Sequence, residues 1–295
     1  LVINAVATVR SDLTAATGPL VDVQLTGASA LTLSGSGPLA FAGLTLRGAD
    51  RTVTVNNSQA RFTSIAPDTT ATRSLTKAGS GALVVDGNVT YTGATNITGG
   101  TLAVGGSMMT GAGAIALSGG GVFARSGNWS PTLGTGSNQL NWTSTGDGGL
   151  AAYGMAAGWG GANDLLVNAN SGGTLTWNAG SFVRSTRKLV LGSSVANGTV
   201  TLQNAISLAS GVREIYVHRA DAAPENGIDA RLAGQISLGT LTKTGPGVLE
   251  LSAANVHVGG TTVNAGTLLV SNSSGSGTGT GAVLVEPAGT LGGGG

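Results

Sequence analysis

The chain has 295 residues, 52 of them glycine, with 9% charged and 4% aromatic residues, no cysteine and a formal net charge of +1. Glycine far above its ordinary share of about 7%, without a three-residue period, excludes collagen, and a 41% hydrophobic content at so low a charge excludes a disordered polar chain. Without cysteine there are no disulfides and no thiolate metal centres, so stability has to come from packing alone.

No window of about twelve residues carries apolar positions at helical spacing, so the predicted elements are short strands. From the N-terminus, Leu31-Thr32-Leu33, Leu44-Thr45-Leu46 and Arg51-Thr52-Val53-Thr54-Val55 alternate apolar with polar residues, which places Leu and Val inward and the β-branched Thr outward. Residues 75–104 then read LTKAGSGALVVDGNVTYTGATNITGGTLAV, with strands at Ala82–Val85, Thr95–Thr98 and Thr101–Val104 between glycine turns. In the middle of the chain, Leu175-Thr176-Trp177 and Thr199-Val200-Thr201-Leu202 keep the alternation at irregular spacing. Arg213-Glu214-Ile215-Tyr216-Val217 follows, and residues 241–270 read LTKTGPGVLELSAANVHVGGTTVNAGTLLV, aligning with 75–104 without a gap at twelve identical positions of thirty. Arg51 precedes the first copy at nearly the distance at which Arg213 precedes the second, so the repeating unit is longer than the block.

Strands this short cannot bury a face alone but can when stacked coil upon coil, whereas a sandwich or barrel wants longer strands in hairpins. The expected fold is therefore all-β, a parallel β-helix with short strands and glycine-rich turns. Residues 1–295 are read as one continuous segment of a longer chain, with internal repeats at 75–104 and 241–270 and spacer-like coils over 105–240. Neither a signal-peptide pattern nor an apolar run of about 18 residues occurs, so export and anchoring signals are expected outside the segment.

The block Leu-Thr-Lys-x-Gly-x-Gly-x-Leu, followed by Gly-x-Thr-x-(Val/Ile) and Gly-Thr-Leu-x-Val, resembles the autotransporter-associated β-strand repeat, also called the passenger-associated transport repeat. Its signature falls on Lys77, Gly79, Gly81, Gly93 and Gly100 in one copy and on Lys243, Gly245, Gly247, Gly259 and Gly266 in the other. The second copy departs at His257, where the first has Tyr91, and at Ala253. The resemblance implies a right-handed parallel β-helix, exposed at the bacterial cell surface or released from it, and no single biochemical activity.

The candidate sites are few. His218 and His257 have no second ligand at metal spacing. The carboxylates Asp147, Asp164, Asp221, Glu225 and Asp229 do not recur at coil spacing as a polysaccharide-cleaving β-helix would need, and residues 219–229 read as an exposed turn. Gly160 to Leu165 holds half of a calcium-binding nonapeptide with no tandem copy. Lys77 and Lys243, two of three lysines, are expected to lie over an apolar coil edge with the ammonium in water. Trp129, Trp142, Tyr153, Trp159 and Trp177 concentrate the aromatic residues, and Trp142, Tyr153, Trp159 and Trp177 are the candidate glycan or partner contacts.

The expected function is a non-enzymatic structural or adhesive segment of a secreted or surface-displayed bacterial protein, acting as a stalk or a self-assembling filament element. The expected partners are another copy of the chain or cell-surface glycans, with no nucleic acid, no cofactor and no metal. A glycan-binding module is the alternative, and a polysaccharide-degrading β-helix comes after it.

Overall fold

A computed structural model describes residues 1–12, 20–26, 30–67, 72–107, 113–155, 163–184, 186–221 and 226–294. Among them, every pairing between strands is parallel, and one short 3-10 turn, Ala169–Gly172, is the only helical element. Parallel strands joined by short turns, each pairing with its equivalent one coil later, form a right-handed β-solenoid.

Each coil runs over three faces. The first face holds Arg51–Val55, Leu75–Ala78, Thr95–Ile97, Ile115–Leu117 and Gln139–Trp142. The second holds Ala82–Val85, Thr101–Val104, Gly121–Arg125 and Gly148–Ala152, and continues through Leu189–Leu191 and Val212–Val217 to Thr240–Thr244. The third runs through Gly127–Trp129, Leu165–Val167, Val200–Leu202, Ala230–Leu232 and Val248–Leu251.

Period-2 alternation becomes columns of like side chains. Leu83, Leu102, Phe123, Leu150, Leu191 and Val217 stack in register down the interior of the second face, none of them exposed. Burying a side chain of this size contributes about 1.5–3 kcal/mol, so the column is a main source of cohesion in a chain without disulfides.

The ladders reveal a rotation that the sequence repeat hides. In the first copy the Leu-Thr-Lys strand lies on the first face and Ala82–Val85 on the second. Followed coil by coil, that second face carries the Leu-Thr-Lys strand of the second copy, Thr240–Thr244. The two copies are thus turned by one face relative to each other.

The spacer also departs from simple repetition. Leu75, Thr95 and Ile115 stack at intervals of twenty residues, but Leu150 stacks on Leu191 and Val167 on Leu202. Outside the second face, Ala82, Val84, Ala103, Val122, Ala124, Ala151, Tyr153, Val190, Ala196 and Ala220 form a second apolar cluster outside the lumen.

Candidate functional site

The signature residues of the two copies converge on one construction. Lys77 points into the lumen between Val53 and Ile97 of the neighbouring coils, and Lys243 between Ile215 and Val263; both are fully buried. The Lys77 Nζ donates to the carbonyls of Ala78 (2.9 Å), Gly79 (2.9 Å) and Gly99 (3.0 Å). The Lys243 Nζ donates to the equivalent carbonyls of Thr244 (3.1 Å), Gly245 (2.8 Å) and Ala265 (2.9 Å). Each ammonium therefore uses all three of its protons on backbone oxygens, two in its own turn and one in the next coil.

This corrects the expectation of a lysine stem capped by a hydrated ammonium. Burial pushes Lys77 down to about 7, and Lys243 down to about 8, where the charge of Asp229 opposes the fall. Converging carbonyls offset the loss of water, because hydrogen bonds to the charged form favour it.

The glycines make the cradle possible. Gly79 and Gly245 have φ of +79° and +78°, which turns their carbonyls toward the ammonium and strains any L side chain. Gly100 and Gly266 sit where the next coil crosses. A Cβ on Gly266 would stand 2.4 Å from the Gly245 oxygen and 2.8 Å from the Lys243 Nζ, and one on Gly100 would stand 2.6 Å from the Gly79 oxygen. Gly81, Gly93, Gly247 and Gly259 are equally close to atoms of the preceding coil.

A second device sits at the next corner. The Tyr91 hydroxyl and the Thr95 hydroxyl are 2.7 Å apart and buried, and in the other copy His257 Nε2 and Thr261 Oγ1 are 2.8 Å apart. The Thr261 hydroxyl donates to the Thr278 carbonyl (2.9 Å), so His257 Nε2 must carry the proton. Its Nδ1 is buried without a partner, and burial lowers the imidazole below its ordinary value, opposed in part by the Ile236 backbone. One coil before each copy, Arg51 stacks against Leu75 and Arg213 against Leu241, both buried, with Nε donating to the Leu25 and Leu208 carbonyls. The matching arginines in the sequence mark this extra coil.

The carboxylates have structural employment. Asp147 accepts the Lys188 N–H (2.9 Å), Asp164 the Thr199 N–H (2.7 Å) and Asp229 the Val248 N–H (2.8 Å), each pinning the following coil. Asp50 does the same for Ser74 (2.8 Å). Residues 219–229 are not simply an exposed turn: Asp229 is buried and also binds Arg219 at 3.0 Å. Glu225 lies outside the described residues, as do Gly160 and Gly161. Among the described residues, no three His, Cys, Asp or Glu side chains converge on a metal position.

Among the described residues, the candidate aromatic side chains do not form a stacking platform. Trp142 and Trp177 are inside the solenoid, each packed edge-on against Phe182, with indole N–H groups donating to the Gly148 and Arg184 carbonyls. Tyr153 is buried in the outer cluster and accepts a 2.7 Å hydrogen bond from Arg61, which is paired with Asp86. Trp159 lies outside the described residues. The wide coils of the spacer needed large fillers, and indoles supplied the volume.

A family model, the passenger-associated-transport-repeat, matches residues 75–104 and 241–270. The chain carries two passenger-associated transport repeats. Their presence on a parallel β-solenoid supports a passenger-type segment of a secreted or surface-exposed bacterial protein. No curated protein and no solved structure matches it. The repeat signature is thus the sequence trace of the cradle: a lysine, the glycines that aim carbonyls at it, and the glycines that let the next coil cross. The tyrosine or histidine with a threonine four residues later is part of the same unit, and that spacing was the available signal for it. The Asp-to-backbone pins had no such signal, because their partners are 19 to 41 residues away.

Proposed function

We propose that this segment is a non-catalytic, stiff stalk that holds surface-displayed parts of its parent protein away from the cell and associates with like segments. The observation carrying this reading is that the distinctive polar residues of both repeats, Lys77 and Lys243 with their carbonyls, are consumed in joining one coil to the next. An ammonium enclosed by three carbonyls has no proton or lone pair to offer a substrate. Of the carboxylates that a polysaccharide-cleaving β-helix would use, Asp147, Asp164 and Asp229 are likewise engaged with backbone N–H groups.

The protein incubated with a panel of neutral and acidic polysaccharides should release no product, while electron microscopy at low protein concentration shows rods one solenoid wide. Product formation that disappears in Asp229→Asn or Asp164→Asn at unchanged melting temperature would overturn the reading.

A further inference from the structure

The outer side of the first face differs from the rest of the surface. Thr8, Thr32 and Thr54 stand in register on consecutive coils, and after Ala78 the row continues with Thr98, Ser118 and Thr143. The adjacent row runs through Thr52, Thr76 and Asn96. No charged side chain stands in either row, and on this face Arg10, paired with Asp12, stands beside the first row only at its N-terminal end; the outside of the second face carries Arg61, Asp86, Lys188 and Glu214 and that of the third carries Arg231 and Glu250. The hydroxyls of Thr32, Thr52, Thr54 and Thr76 engage no protein group among the described residues, and none of these side chains belongs to either apolar cluster.

We propose that this face docks a second copy of the chain, the two hydroxyl rows meeting face to face. The proposal rests on the structural reading above and names the surface that like segments would use. Strands stack with a step of about 4.8 Å, and a second copy is a partner whose rows necessarily repeat with that same step. Self-pairing sets each row against its own kind, so a charged row would repel itself; these rows are neutral and hold hydroxyls and amides, which donate and accept alike. Short side chains allow the two sheets to approach to about 10 Å, the spacing of interdigitated β-sheets. Six steps give rows about 29 Å long, and the patch covers a few hundred Å², below the roughly 800 Å² per partner of a stable complex. A single pair of segments therefore associates weakly, and strength accumulates where several such faces lie along one rod.

The chain has no cysteine, so single thiols can be placed at will. Thr54→Cys puts one on the first face, and Thr45→Cys puts one on the strand Leu39–Leu46, which pairs with Val23–Leu25 in a different sheet. With a bis-maleimide of about 10 Å span, concentrated T54C should form covalent dimers roughly tenfold faster than T45C. Adding Thr32→Lys and Thr76→Lys should abolish this at an unchanged melting temperature. Equal rates for the two positions, or no T54C dimer at the highest soluble concentration, overturns the proposal. Rods joined only end to end, without T54C dimers, would remove this face while leaving the structural reading intact. Neutral-glycan binding lost in the lysine variants, again without T54C dimers, would reassign the face to a glycan.

Discussion

The two repeats are the same device built twice under different surroundings. Both cradles place an ammonium among three equivalent carbonyls, and both precede it by a coil with an inward arginine. They differ at the corner that follows, where Tyr91 meets Thr95 and His257 meets Thr261, and in their orientation, one face apart. The cradle therefore depends on contacts within a coil and to the next one, and not on which face of the rod it occupies. That independence suits a unit reused along a solenoid, whose stability is a sum of local and neighbouring-coil terms.

The largest expected effect tests whether the crossing glycines are equivalent. Gly100→Ala and Gly266→Ala each force a methyl against carbonyl oxygens at positive φ and should each cost about 3–4 kcal/mol by chemical denaturation; a loss at only one of them would break the equivalence. Next come Lys77→Met and Lys243→Met. Each keeps the packing volume but leaves three buried carbonyls unpaired, so a loss of about 2–3 kcal/mol is expected for each, and roughly the sum in the double variant, because the sites are far apart.

The smallest effect concerns the difference between the copies. Because burial lowers His257, the unfolded chain binds a proton that the folded chain refuses between the folded value and about 6.5, so stability falls as the pH falls through that window. His257→Tyr, which installs the first copy's residue, should flatten the acid limb of a melting-temperature profile. His218, which burial also lowers, contributes to the part that remains. An unchanged profile would mean that the His257 pair is not strained by acid.

Much of the fold could be read beforehand because it is local. Alternating Leu and Thr, glycine turns and a gapless block predict stacked parallel strands, and the rows at 31–33 and 53–55 lie where expected, while Thr199 and Thr201, expected on an exposed side, are buried. The site was legible as a set of residues but not as a geometry. Lys77 and Lys243 stood out, yet their burial depends on carbonyls of Gly99 and Ala265, one coil on, which no short-range pattern announces. Trp142 and Trp177 were noticed for the same reason and misplaced for the same reason: an indole in a row of short strands fills a wide coil as readily as it faces water.

By itself the amino-acid sequence determined the repeating block, the inward side of the alternating Leu-Thr strands and the positions where only glycine can stand, since these follow from dihedral limits and from side-chain alternation within a few residues. The tertiary structure alone decided which face each repeat occupies, where the ammonium groups end, and which hydroxyl rows remain open. Those outcomes depend on how residues 19 to 41 positions apart are brought into register, and the lengths of the spacer connections set that register.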